Sequence, residues 1–274
     1  MRRTTLLRAW FCAIAVLLLA AGPLGAQPAK EEFKPQVGQE GKDVVWVPTP
    51  QALVDKMLDL AKVTPQDYVI DLGSGDGRTV ITAAKRGAHA LGIEYNPDMV
   101  ELSKRNAEKA GIGDKAQFMK ADLFETDFSK ATVITMFLLP DINLKLRPKI
   151  LDMKPGTRVV SNSFTMGEWE DDETANVTNG CSSWCTAHFW IVPAKVQGTW
   201  KLPQGELDIK QQFQMISGTL KSGGKSVPVK GRLRGEQITF SAGEAQYSGH
   251  VSGDKMEGAA KGGGGNWSAT RVGK

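Results

Sequence analysis

Tyr68-Val69-Ile70-Asp71-Leu72 runs directly into Gly73-Ser74-Gly75-Asp76-Gly77 and then Arg78-Thr79-Val80-Ile81, writing a buried strand, a glycine turn and a helix start in consecutive residues. No other stretch of the 274-residue chain restricts the fold as much. A strand this apolar needs cover on both faces, and the glycines admit backbone where a Cβ would collide with a ligand. The turn is expected to aim free N–H groups of the next helix at that ligand, as nucleotide sites do.

Around this unit, strand and helix signals alternate. A helix is expected from Leu53, Val54, Met57, Leu58 and Ala61, with Thr49 as its N-cap and Pro50 at its first position. After Tyr68 to Leu72 come a helix to about Arg86, a strand over Ala90 to Glu94, a helix over Pro97 to Ala110 and strands over Ala116 to Lys120 and Thr132 to Phe137. A short helix near Leu144 to Leu151 and strands over Arg158 to Phe164 and Ala187 to Val192 complete the series. Alternation with helical crossovers predicts an α/β fold with a mostly parallel sheet covered on both faces. From Val196 onward only short β-like runs remain, such as Leu207 to Ile209, Val227 to Val229, Ile238 to Phe240 and Tyr247 to Val251, which predicts a small antiparallel β domain. Its Trp200, Phe213, Phe240 and Trp267 are expected to form a small core. Gly231 to Ile238 and Gly249 to Met256 echo each other as strand, turn, strand, the pattern of two similar hairpins.

Arg2, Arg3 and Arg8 precede an apolar run from Ala9 to Ala21 and a small-residue stretch ending at Ala26, so residues 1–26 read as a secretory signal peptide, or else as an uncleaved membrane anchor. Residues 27–45 are a charged, aperiodic lead-in, expected to be flexible after cleavage. The main domain is expected over 46–195 and the β module over 196–274. The formal net charge of +4 includes arginines of the signal, and no Lys/Arg block is interleaved with aromatics, which gives nucleic-acid binding no support. Cys181 and Cys185 are too few for a zinc site; in an oxidising compartment they would pair, provided a turn brings them together. His89, His188 and His250 stand apart from any second ligand, and no metal is assigned.

The chemistry lies beyond the glycine turn. Glu94 ends the next strand, where a carboxylate can accept both hydroxyls of a ribose, and Asp122 follows the strand after that. Asp71-Leu-Gly73-Ser-Gly75-Asp-Gly77, Gly92-Ile-Glu94 and Ala121-Asp122, in this order and spacing, resemble the class I, seven-strand S-adenosylmethionine-dependent methyltransferases. The run from Val47-Pro-Thr-Pro50 through Gly156-Thr-Arg-Val-Val160 is similar to the small protein-lysine methyltransferases among them. The resemblance covers roughly Trp46 to Val192. It implies a Rossmann-like seven-strand sheet with Asp71, Gly73, Ser74 and Gly75 as the S-adenosylmethionine turn, Glu94 on the ribose, Asp122 on the adenine amino group and Leu123 on the adenine face. Thr49 and Trp46 are positioned to close over the methionine end, although capping also accounts for Thr49.

After the fourth strand the chain reads Phe137-Leu138-Leu139-Pro140-Asp141, without the Asn-Pro-Pro-aromatic signature of enzymes that methylate adenine amino groups or glutamine. An amine acceptor needs little acid-base machinery, since positioning and desolvation carry the rate. Phe137, Leu138 and Trp169 are candidates for an apolar lip of the acceptor channel, core at the sheet edge being the other account of them. The acidic run Glu168 to Glu173 reads as a solvated loop or as an attractor for a basic acceptor. The expectation is an exported methyltransferase acting on an amine, a protein lysine foremost; the other reading is a secreted, non-catalytic protein that keeps the nucleoside pocket or docks a partner.

Overall fold

The computed structural model describes residues 33–262 and 265–273; the signal segment and residues 27–32 lie outside them. Seven strands form one sheet: β1 (Tyr68–Leu72), β2 (His89–Glu94), β3 (Ala116–Lys120), β4 (Val133–Met136), β5 (Arg158–Asn162), β6 (Glu173–Asn176) and β7 (Thr186–Ile191). Val69, Ile70 and Leu72 of β1 are almost wholly buried, which places β1 at the centre with helices on both faces. Each such side chain contributes roughly 1.5–3 kcal/mol by leaving water.

The strand order is β3-β2-β1-β4-β5-β7-β6, with the first five parallel and β7 antiparallel to both its neighbours. The chain winds outward from β1 through β2 to β3, then returns to start β4 on the other side. Strand order therefore reverses beside β1, and the crevice at the carboxyl ends of β1 and β4 is where such sheets bind ligands. Helices α1 (Gln51–Leu60), α2 (Arg78–Lys85) and α3 (Pro97–Lys109) share one core with Val69, Val133 and Val160. Helix α4 (Pro140–Leu151) packs on the opposite face with Ile70, Ile134 and Val159.

Local differences from the sequence expectations have physical causes. Pro50, not Thr49, is the N-cap of α1, and the Thr49 hydroxyl instead accepts from Asn162 Nδ2 at 3.2 Å. Helix α4 begins at Pro140, whose ring suits the first helical turn. Strand β6 starts at Glu173, the last residue of the acidic run; as an edge strand it is mostly exposed and turns only Ala175 toward the core. That acidic run is not a free loop either. Asp172 accepts from the Ile191 N–H at 2.9 Å and from Arg232 at 2.6 Å, and Asp171 pairs with His188 Nδ1 at 3.2 Å.

The C-terminal part is a closed barrel of eight antiparallel strands: β8 (Gly198–Leu202), β9 (Gly205–Gln212), β10 (Met215–Ser222), β11 (Lys225–Arg234), β12 (Gln237–Ala242), β13 (Ala245–Ser252), β14 (Lys255–Lys261) and β15 (Gly265–Arg271). Sequential neighbours pair, and Thr270 and Arg271 of β15 close the ring on Lys201 and Trp200 of β8. The two echoing segments are the β11–β12 and β13–β14 hairpins, each turning on a left-handed glycine, Gly235 and Gly253. Trp200, Phe240 and Trp267 fill the interior, together with Leu207, Ile238 and Tyr247. Phe213 does not: at the β9–β10 turn it points out of the barrel and packs on the α/β core beside Trp169. Gln214 Nε2 donates to Glu170 O at 2.7 Å and the Ala194 N–H to Gly235 O at 2.9 Å, so two hairpin tips meet the α/β part.

Candidate cofactor cleft and acceptor mouth

The glycine turn is fastened from below. Gly73 and Ser74 N–H groups both donate to Ile93 O, at 2.9 and 3.1 Å, and Gly77 N–H donates to Ser74 O at 2.9 Å. Gly75 N–H donates to Glu94 Oε2 at 3.0 Å while Glu94 Oε1 accepts from Asn96 N–H at 2.9 Å. The N–H groups of Gly73, Ser74, Gly75 and Gly77 are thus spent within the protein. Such a turn approaches a ligand by shape and leaves little for a phosphate chain. Its closeness needs glycine: Gly75 has φ +55°, and a Cβ there would lie 2.6 Å from Trp46 Nε1.

Asp71 sits buried at the cleft floor and accepts from Thr135 Oγ1 at 2.6 Å. Burial pushes its carboxyl up to about 7, with the Thr135 hydrogen bond acting against the rise and Glu94 and Asp76 adding to it. Asp122 lies at the exposed edge, its Oδ1 accepting from Phe124 N–H at 2.9 Å and its Oδ2 from Lys42. The Lys42 hydrogen bond, then that of Phe124, hold this carboxyl below the usual range.

Lys42 belongs to the stretch that the sequence presents as a flexible lead-in. Residues 38–45 of that stretch, together with Trp46, are strapped across the cleft: Gly38 N–H donates to Trp46 O and Trp46 N–H to Gln39 O, both at 2.9 Å. The Lys42 ammonium also lies 4.9 Å from the Tyr95 ring centroid. The strap hides from sequence reading because it has no period, and its only signal is a tryptophan between valines.

Asp71, Gly73, Ser74, Gly75, Glu94, Asp122, Leu123, Thr49, Phe137 and Leu138 all line this one cleft. Leu138 is buried against the turn, 3.1 Å from where a Gly73 Cβ would be, and Phe137 is half-buried at the mouth. Trp169 is elsewhere: it is fully buried, its carbonyl accepting from Trp190 Nε1 at 2.8 Å, so it forms no lip. Two mouth residues were not singled out from sequence, Phe164 and Trp184. The Phe137 and Phe164 ring centroids are 6.0 Å apart, Phe137 and Trp184 5.8 Å, and Phe164 and Trp184 5.3 Å. Trp184 is carried by the loop that the Cys181–Cys185 disulfide closes, with the two Cα atoms 5.8 Å apart. The turn the pairing needed is therefore present.

These residues fit an adenosyl cofactor. Glycine leaves space at the turn, carboxylates stand at the ends of β2 and β3, and the buried Ser74 Oγ has no hydrogen-bond partner among the described residues. The family model described as the ANTKMT methyltransferase domain matches residues 71–173. A protein-lysine N-methyltransferase of Saccharolobus islandicus is 46% identical over 140 residues, which are 50% of this chain and 87% of that protein. An adenine nucleotide translocase lysine N-methyltransferase of Mus musculus is 33% identical over 119 residues, 43% of this chain and 52% of that protein, so the chain spans about half of the mouse relative. The crystal structure of an RNA methyltransferase from Salinibacter ruber in complex with S-adenosyl-L-homocysteine is 47% identical, with a TM-score of 0.52 over 55% of this chain and 96% of that one. Turn, acids, strand order and relatives agree, and the chain belongs to the S-adenosylmethionine-dependent methyltransferases, with a methyltransferase domain of the ANTKMT type.

Proposed function

We propose that the protein transfers the methyl group of S-adenosylmethionine to an amine, with a protein lysine as acceptor. The observation that carries this reading is the composition of the cleft. Its wall holds Glu40, Asp43, Asp76, Glu94 and Asp122 against Lys42 and Arg78, and it opens past three aromatic rings. An acid-rich wall favours a cationic side chain and opposes the phosphates of a nucleic acid. The similarity to protein-lysine N-methyltransferases supports the same acceptor.

When bound, S-adenosylmethionine supplies a sulfonium methyl that a neutral amine takes in line. The chain's own residues then have three tasks. Glu94 and Asp122 orient the nucleoside, the strap over 38–46 excludes water, and the buried Leu138, deeper than the aromatic mouth, favours the neutral form of an entering lysine by desolvation. Placement of the reaction outside the cytoplasm belongs to the same proposal. It rests on the signal-like residues 1–26 and on the Cys181–Cys185 pair, since disulfides persist where thiols are not kept reduced.

The test is to incubate the mature chain, residues 27–274, with S-adenosylmethionine and a lysine-rich peptide or a periplasmic protein extract, RNA serving as control acceptor. Mass spectrometry should find methyl groups on lysine side chains and none on RNA. Methylated RNA with untouched protein would reject the lysine acceptor. Tight binding of S-adenosylmethionine without turnover on any amine would favour the non-catalytic nucleoside-binding reading.

A further inference from the structure

We propose that Trp184, held over the cleft mouth by the Cys181–Cys185 disulfide, determines acceptor choice by forming with Phe137 and Phe164 an aromatic rim that receives an alkylammonium group. The inference rests on the reading that the acceptor is an amine, and it adds the residue that recognises it and the covalent link that positions that residue.

Three features converge on this rim. The rings of Phe137, Phe164 and Trp184 touch one another and all face the cofactor cleft, at the end where β4 and β5 deliver their carboxyl termini. Trp184 is nevertheless 44% exposed, so it is not there to fill a core. The backbone is also unusual at this point: Ser163 and Trp184, neither of them glycine, have φ values of 59° and 57°. Left-handed conformation is unfavourable for any residue with a Cβ and persists where the surroundings impose it. For Trp184 the surroundings are the disulfide ring, whose neck is fixed to the sheet by the Val177 N–H donating to Cys185 O at 2.9 Å. Opening the ring would release the one residue whose side chain completes the rim.

The chemistry that suits such a rim is a cation carried on an apolar stem. Aromatic faces attract alkylammonium groups, and the stem can lie along Phe137 toward Leu138. The acid-rich wall behind the rim has the matching sign of charge. A partly methylated amine keeps its positive charge on leaving and gains apolar surface, so the same rim would retain it for a further round.

Choline and its uncharged isostere 3,3-dimethylbutanol serve as probes, titrated into the mature protein saturated with S-adenosyl-L-homocysteine. The readout is the indole N–H resonance of Trp184, assigned by its loss in Trp184→Phe. Choline should move this resonance at a concentration about threefold to thirtyfold below that needed for the isostere, the range expected of a cation on an aromatic face. The Cys181→Ser/Cys185→Ser variant should lose that preference while binding S-adenosyl-L-homocysteine within about twofold of wild type. Should the variant fold poorly, wild type treated with dithiothreitol after cofactor loading gives the same comparison. Equal response to both probes, or full preference in the variant or reduced protein, would overturn the proposal. Charge preference without any lysine methylation would leave the rim standing and reject lysine as acceptor; lysine methylation without charge preference would do the reverse.

Discussion

Phe213 stacks on Trp169 with ring centroids 6.2 Å apart and planes inclined by 15°, and this contact joins the barrel to the α/β core. Phe213 sits at the tip of the β9–β10 hairpin with φ 52°, and the Arg147 guanidinium lies 5.2 Å from its ring centroid. One aromatic ring is thus held between the fully buried Trp169 and a cation from α4.

Phe213→Ala should destabilise the protein by about 2 kcal/mol, less than the 3–5 of a core phenylalanine because the side chain is half-buried. Urea unfolding followed by tryptophan fluorescence reads the loss. A variant as stable as wild type would mean that Gln214 and Arg232, not this ring, hold the barrel in place.

Glu94 has two structural duties before any ligand arrives, accepting from Gly75 N–H at the turn and from Asn96 N–H at the start of α3. Hydrogen bonds to an ionised group are worth about 1.5–3 kcal/mol each. Glu94→Ala should therefore weaken S-adenosyl-L-homocysteine binding by at least about tenfold, and also lower the melting temperature of the free protein. Glu94→Gln should fall between, because its amide group presents a donor to one of the two N–H groups. Titration calorimetry with the three proteins checks the ranking, and unchanged affinity in Glu94→Ala would remove Glu94 from the cofactor site.

How much of the fold and site is legible in the sequence depends on what each residue contributes. The central unit is readable because Val69 to Leu72 and Gly73 to Gly77 carry their own explanation: strand apolar on both faces, then positive φ at Gly73, Gly75 and Gly77. Glu94 and Asp122 follow from their positions at strand ends. Strand β6 is not readable, since Glu173–Asn176 lies at the sheet edge and turns only the small Ala175 toward the core. Barrel closure is hidden for a related reason: Thr270 and Arg271 pair with β8 about seventy residues earlier, and strand periodicity carries no information on so distant a partner. The strap and the Trp184 loop escape because irregular backbone is positioned by tertiary contacts, here Lys42 with Asp122 and one disulfide. Phe213 is assigned to the wrong core because composition counts aromatics without telling which side of a turn they face.

Asp71 gives the cleft a titration near neutral pH. Its folded-state pKa is raised by burial to about 7 from an ordinary 3.8. Between these values the folded protein holds a proton that the unfolded chain has lost, so stability falls as pH rises from about 4 to about 7 and levels off above. The full difference amounts to at most about 4 kcal/mol at pH 8. Asp71→Asn keeps an acceptor for the Thr135 hydroxyl, which donates at 2.6 Å, and abolishes the titration. The variant should therefore melt higher than wild type at pH 8, with the gap closing toward pH 5. Ligand binding supplies an independent check. Ionised Asp71 attracts a positive charge in the cleft, so wild type should favour S-adenosylmethionine over S-adenosyl-L-homocysteine increasingly from pH 6 to pH 8. In Asp71→Asn that preference should be flat with pH. A wild-type preference already independent of pH would place the charge of the sulfonium beyond the reach of Asp71.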